Sequence, residues 1–172
     1  EANRVTKVAS ARGTSIHKLC EHYILGTMDD VKLMPSNKEM FDAMSTHLAD
    51  KVDNIKCVEG FLYSDFLRSA GQVDCIAEYD GKLSVIDFKT ANKERQEDWI
   101  DNYFLQTTAY AHMYEETFGT PIEQIVILIA SEDGTTQAFI KNKADYEKEL
   151  GKSIEGFYKY YEELNKDKIT TK

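Results

Sequence analysis

The stretch from Gly71 to Thr90, GQVDCIAEYDGKLSVIDFKT, constrains this chain more than any other. It reads as two strands joined at Asp80-Gly81, a pair suited to the type I′ turn of a two-residue hairpin. Strand alternation is expected to put Val73, Cys75 and Ala77 on one face with Ile86 and Phe88. Ile76, Leu83 and Val85 fall on the other face, beside Asp74 and Asp87. Apolar residues on both faces mark strands from the middle of a sheet, covered above and below.

The flanking sequence supplies the cover. Ile16, Leu19, Cys20, Tyr23 and Ile24 repeat at helical spacing, in a helix expected to begin near Arg12. A second helix is expected after Pro35. There Ser36 and Glu39 form an S-x-x-E capping box, and Phe41, Met44 and Leu48 supply an apolar face. Residues 55–67 read as a strand, with Val58, Phe61, Tyr63 and Phe66 as its apolar side chains. After the hairpin, a long helix is expected from about Glu97 to Phe118, ended by Gly119 and Pro121. QIVILIAS (residues 124–131) is a short buried strand, and Asp133-Gly134 turns into another strand over residues 135–140. A closing amphipathic helix carries Leu150, Ile154, Phe157, Tyr161 and Leu164. The order is α-α-β-β-β-α-β-β-α. Three meandering strands, a crossover helix and further strands predict an α/β (α+β) fold, a central mixed β-sheet flanked by helices.

A length of 172 residues with 42% hydrophobic content fits one globular domain spanning residues 1–172. The first residue is Glu1, so a native N-terminal segment is expected to be missing. No apolar run has the length of a membrane span, no secretion signal is visible, and no membrane partner is expected. Cys20, Cys57 and Cys75 are odd in number and widely spaced, which argues against a disulfide framework, a zinc ribbon or an iron–sulfur site. The compartment expected is intracellular, the cytoplasm of a prokaryote or of a phage-infected cell ahead of a mitochondrion. The net charge of −9 speaks against a non-specific nucleic-acid coater. It leaves room for an enzyme that meets nucleic acid through a small basic cleft with bound metal, because the local field matters more than the total.

With Asp80 and Gly81 as the loop, Tyr79 faces Lys82, and the register makes Asp74 and Asp87 direct cross-strand neighbours. In a non-hydrogen-bonded antiparallel pair the Cα atoms stand about 4.5 Å apart. Like charges so placed destabilise a sheet, and burial makes this worse. A cation, a shared proton or a basic side chain must answer them. Lys89, two residues after Asp87, points to the same face. Two carboxylates and a lysine on one patch can hold a hard divalent cation, activate water and stabilise charge on a scissile phosphate. The alternative is a structural salt bridge. Asp-x-Lys alone decides nothing, since it recurs at Asp30–Lys32.

Two further stretches bear on this patch. His17 lies beside Gly13, Cys20 and Ile24 on the first helix, at the border of its apolar stripe, with Glu21 four residues on. It reads as a packed residue or as a ligand. Gly13 costs helix stability, about 1 kcal/mol against Ala, in return for room beside it. On the long helix Trp99, Tyr103, Tyr110 and Met113 form a stripe with Gln106 in its middle. Gln106 either bonds backbone in the core or looks with Tyr110 into the cleft of Lys89.

The ordered series Gly13-x3-His17-x3-Glu21, Gly71-x2-Asp74, Asp87-Phe88-Lys89-Thr90 and Gln106-x3-Tyr110 resembles the RecB-type branch of the PD-(D/E)xK nuclease superfamily, which includes phage-type and mitochondrial genome maintenance exonucleases. The resemblance spans residues 13–110 and implies a restriction-endonuclease-like αβββαβ core. It implies that His17, Asp74 and Asp87 coordinate Mg²⁺ or Mn²⁺, with the Phe88 carbonyl as a further ligand and Glu21 in support. It makes Lys89 the catalytic lysine, with Gln106 and Tyr110 placing that lysine and the DNA strand. A histidine ligand suits Mn²⁺ at least as well as Mg²⁺. Val73 stands where the family motif is named for proline. Three scattered cysteines do not match the four-cysteine cluster of the branch's iron–sulfur members, so no such cluster is implied. The activity implied is metal-dependent hydrolysis of DNA, single-stranded or with free ends, in replication, recombination or repair. A structure-specific endonuclease on the same fold and a non-catalytic DNA-binding scaffold are the alternatives. Retention of Asp74, Asp87 and Lys89 disfavours the scaffold. Arg12, Arg68, Lys93 and Arg95 lie near the motif ends and are the candidate DNA contacts, or else ordinary surface charge.

Overall fold

A computed structural model describes the backbone over residues 2–169 and the side chains of residues 6–163. The elements follow the expected order: α1 (Ala2–Ile24), α2 (Lys38–Lys51), β1 (Val52–Ser64), β2 (Ser69–Tyr79), β3 (Lys82–Ala91), α3 (Asp101–Phe118), β4 (Gln124–Ser131), β5 (Thr136–Asn142) and α4 (Glu147–Ile169). The five strands form one mixed sheet in the order β1-β2-β3-β4-β5. β4 runs parallel to β3, and the other neighbours are antiparallel. α3 is the crossover that parallel pairing requires.

Each face of the sheet carries its own core. Ile16, Leu19 and Cys20 of α1 and Met40, Phe41, Met44 and Leu48 of α2 pack on Cys75, Ala77, Ile86, Phe88, Val126 and Leu128. Phe104, Ala111 and Met113 of α3 pack on Leu62, Ile76, Val85, Ile125, Ile127 and Ile129 of the opposite face. β3 and β4 are thus sandwiched, as the unbroken burial of Gln124–Ser131 after its first residue requires.

The β2–β3 turn forms as read. Asp80 (φ 49°) and Gly81 (φ 77°) are both left-handed, and Tyr79 pairs with Lys82. The long helix ends at Gly119 (φ 67°), whose N–H bonds the Glu115 carbonyl at 2.8 Å.

Several local expectations are corrected. α1 begins ten residues before Arg12. No capping box forms at Ser36: Pro35–Asn37 make a 3₁₀ turn, and the residue before α2 is Asn37, with no side-chain cap. β1 ends at Ser64, short of residue 67, and Phe66 (exposed) and Leu67 (buried) lie in the turn that follows. On β1 Leu62 is buried while Phe61 and Tyr63 are exposed, because β1 is an edge strand whose far face lies beyond the cover of α1 and α2. Val73 joins the α3 core rather than the Cys75 face. Glu59, opposite this point on β1, takes φ 50°, and regular alternation does not pass through it. Trp99 leaves the helical stripe for a 3₁₀ turn (Glu97–Trp99). On α4, Leu150 is buried but Phe157 and Tyr161 are exposed, and the Leu164 side chain lies outside the described residues.

Two glycines permit close contacts that the fold uses. A Cβ on Gly13 would stand 3.4 Å from Thr90 Oγ1, so α1 lies directly on the end of β3. A Cβ on Gly71 would fall 2.7 Å from the buried Tyr110 ring. Gly71→Ala is therefore expected to displace Tyr110 and cost about 1–3 kcal/mol, by urea denaturation. The cost shrinks in a Tyr110→Ala background, where the clash is absent.

Candidate active site

The predicted site residues converge at the end of the β2–β3 hairpin remote from its turn. The ladder has the expected register but stops at Cys75↔Ile86, one pair short of Asp74 and Asp87. Beyond it, Asp74 Oδ2 accepts the Phe88 N–H at 2.7 Å, so a side chain replaces the next rung. The like charges are not held in a regular pair. The strands part where repulsion would be greatest.

Asp87 is only 2% exposed. Its Oδ2 lies 2.5 Å from Lys89 Nζ without hydrogen-bond alignment and has no hydrogen-bond donor among the described residues. Burial pushes the Asp87 carboxyl up to about 6. The Lys89 charge opposes the shift and the Asp74 charge adds to it. Lys89 Nζ also lies 5.0 Å from the centre of the Tyr103 ring of α3, a cation–π contact that steers the ammonium.

α1 brings in the histidine. His17 Nδ1 stands 3.5 Å from Asp74 Oδ2, and its ring meets Phe88 edge-on. Burial lowers the His17 pKa, but the Asp74 carboxylate outweighs it, and the net shift is upward. A residue not anticipated from sequence completes this side. Glu59 of β1 offers a carboxylate oxygen that, with His17 and Asp74, makes three ligand atoms mutually within 4.8 Å. Burial and the charges of Asp74 and Glu21 raise the Glu59 pKa. Glu21 lines the same opening of about 420 Å³ as His17, Glu59 and Gly13, which puts it at the edge of the cluster. The oxygen-rich set of Glu59 and Asp74 with one imidazole fits a hard divalent cation, while Asp87, its Oδ2 paired with Lys89, lies outside this three-residue group.

From α3, Gln106 Nε2 donates to Tyr110 Oη at 3.1 Å. Tyr110 is buried, and the charges of Asp87 and Asp74 add to the burial that raises its pKa. Gln106 itself is exposed, not in the middle of an apolar stripe. Of the candidate DNA contacts, Arg12 has protein partners. Its guanidinium pairs with Glu132 and donates to Asn92 at 2.6 Å, so it braces α1 against the strand ends. Arg68 stacks on the Tyr158 ring at 5.4 Å. Lys93 and Arg95 are exposed. The larger surface cavity between α1 and residues 34–40, about 840 Å³, contains none of His17, Asp74, Asp87 or Lys89.

A family model matches residues 37–171 and is described as the PD-(D/E)XK nuclease superfamily. The chain belongs to the PD-(D/E)XK nuclease superfamily. Mitochondrial genome maintenance exonuclease 1 of Xenopus tropicalis is 28% identical over 134 residues, 76% of this chain and 38% of that protein. The human protein of the same name is 29% identical over 130 residues, 72% and 37% of the two chains. The chain thus spans less than two fifths of these relatives' length. The crystal structure of a candidate exonuclease from Eubacterium rectale superposes with a TM-score of 0.54 over 84% of this chain and 64% of that one. At 11% identity it supports the fold alone. No described helix is long and apolar enough to cross a membrane.

The nuclease fold therefore carries a carboxylate whose ionisation works against folding. Asp87 binds its proton more tightly folded than unfolded, so its contribution is full below the unfolded pKa near 4 and is lost as pH rises through about 6. In EDTA, Asp87→Asn is expected to stabilise the protein at pH 8 by about 1–3 kcal/mol, with the difference largely gone near pH 4. Urea denaturation across this pH range checks it.

Proposed function

We propose that this PD-(D/E)XK nuclease domain is a divalent-metal-dependent DNA exonuclease, hydrolysing phosphodiester bonds in single-stranded DNA or at free ends. The observation that carries the reading is the buried Asp87–Lys89 pair set against Asp74, His17 and Glu59 at the one point where the central ladder opens. Degradation from an end is supported by the name of the relatives, exonuclease 1.

Asp74, Asp87, His17 and Glu59 would hold Mg²⁺ or Mn²⁺, with the Phe88 carbonyl as a further ligand and Glu21 hydrogen-bonding at the edge. The cation, when bound, supplies water activation and charge neutralisation at the scissile phosphate. Lys89 does the rest of the local work. Its ammonium, held between Asp87 and the Tyr103 ring, is positioned to donate a hydrogen bond to the attacking water or to the extra negative charge on the phosphate. Asp87 keeps that ammonium aimed. Tyr110, fixed by the gap at Gly71 and by Gln106, orients the strand beside the lysine. Setting and process follow the same reading: an intracellular enzyme of replication, recombination or repair.

The test is a time course on single-stranded and duplex DNA, labelled at the 5′ or the 3′ end, with Mg²⁺, Mn²⁺ or EDTA. Metal-dependent shortening from one end is expected, and Lys89→Ala and Asp87→Asn should each lower kcat by about 10²–10³-fold or more. Glu59→Gln should move the metal titration to higher concentration. Internal cuts would establish the endonuclease reading. A folded protein that cleaves nothing would overturn the exonuclease reading for this domain by itself and leave the scaffold reading standing.

A further inference from the structure

Immediately after Lys89 the chain leaves the sheet through residues 92–96 into the 3₁₀ turn Glu97–Trp99, and this segment holds an open groove that the proposed chemistry does not use. Its volume of about 670 Å³ lies within the ~300–1,000 Å³ of ligand clefts. Thr90, Lys93, Arg95, Trp99 and Arg12 line it, with Glu94 the acidic side chain among them.

Trp99 is 61% exposed, although the next residue, Ile100, is 1% exposed and anchored in the α3 core. The turn thus buries the aliphatic chain and presents the indole outward. It is held firmly. Trp99 N–H bonds the Gln96 carbonyl at 3.1 Å, and Lys141 pairs with Glu97. The Gln137 side chain accepts the Arg95 N–H at 2.7 Å and donates to its carbonyl at 3.0 Å. Arg12, clamped by Glu132 and Asn92, closes the inner end. The Lys93 and Arg95 side chains take no ion-pair partner among the described residues, in a chain with thirty acidic residues against twenty-one basic ones. An exposed aromatic ring sharing one groove with two cations that have no ion-pair partner among the described residues, beside Thr90, complements a polyanion whose bases are free to stack.

We infer that this groove binds one strand of single-stranded DNA next to the scissile phosphate, with a base stacked on Trp99 and phosphates against Lys93 and Arg95. The inference rests on the nuclease reading and deepens it, because it selects the substrate class. A base offers its face to an indole only when unpaired. A duplex offers its edges, and a face only at its ends.

Trp99 is the single tryptophan of the chain, so its fluorescence reports the groove directly. In EDTA, where no cleavage is expected, a short oligothymidylate should quench it saturably, and a blunt duplex should not. Lys93→Gln with Arg95→Gln should weaken this binding and flatten its log–log salt dependence by about 1.4, at about 0.7 per phosphate. With Mg²⁺, Trp99→Ala should raise KM for single-stranded DNA roughly tenfold, in keeping with the loss of one base–aromatic stack. Its effect should fall on KM more than on kcat. Cleavage with no indole response, or with KM unmoved in Trp99→Ala, overturns this inference and leaves the nuclease reading intact. An equal response to the duplex overturns the single-strand selection. A protein that neither cleaves nor responds ends both readings.

Discussion

A carboxylate almost wholly out of water must be answered by its neighbours, and Asp87 organises this molecule accordingly. It sits in the middle strand of a sheet covered on both faces, with Ile86 and Phe88 turned into one core and Val85 into the other. A charge there is several kcal/mol too costly without a partner. Lys89 supplies one from the same strand, two residues along, which needs no long-range coincidence beyond strand pleat. The lysine in turn has to be kept from swinging to solvent. Tyr103 does this from α3, so the crossover helix that the parallel β3–β4 pairing demands also positions the site's ammonium.

The second consequence is at the edge of the β2–β3 ladder. Were the rungs to continue past Cys75 and Ile86, Asp74 and Asp87 would face each other at the distance of directly opposed side chains. The strands instead give up that rung, and Asp74 takes over the freed Phe88 N–H. The backbone group stays satisfied, as burial requires. Asp74 is left with its carboxylate turned toward His17 on α1. One broken rung therefore connects the layers on opposite faces of the sheet at a single spot. Two glycines let those layers close on it: Gly13 seats α1 against Thr90, and Gly71 admits the Tyr110 ring from α3.

The hairpin was legible because its signals are local. Asp80-Gly81 pins the turn, the turn pins the register, and the register brings Asp74 to Asp87. Element order was legible for the same reason, each period being read within one segment. What could not be read depends on pairings without a local anchor. β1 meets β2 through residues 65–68, Asp-Phe-Leu-Arg, which carry no glycine or asparagine to set a register. Without that register Glu59 could not be seen opposite Asp74, and its membership of the cluster was missed. The exposure of Phe61 and Tyr63 has the same origin, since edge position is a property of the sheet and not of the strand. Arg12 reads as a DNA contact or as ordinary surface charge, and its pairing with Glu132 could not be read because that partner lies 120 residues away.

The electrostatics then suggest an order of events. Asp87 and Glu59 both hold protons more tightly than free carboxyls do, Glu59 in part because Asp74 and Glu21 crowd it. This is a site with more negative charge than its protein surroundings neutralise. A phosphodiester approaching it bare would add one more negative charge at the worst place, and the chain's charge of −9 offers no general attraction to offset that. On the nuclease reading, a divalent cation held by Asp74, His17 and Glu59 would supply the charge neutralisation that a phosphate needs there. Capture of the strand has to begin elsewhere, where local charge is positive. The groove beyond Thr90, where Lys93 and Arg95 stand against Glu94, offers cations close in sequence to Lys89. On that reading, binding and chemistry would be divided between the groove of Lys93 and Arg95 and the carboxylate cluster, with Lys89 between them in sequence.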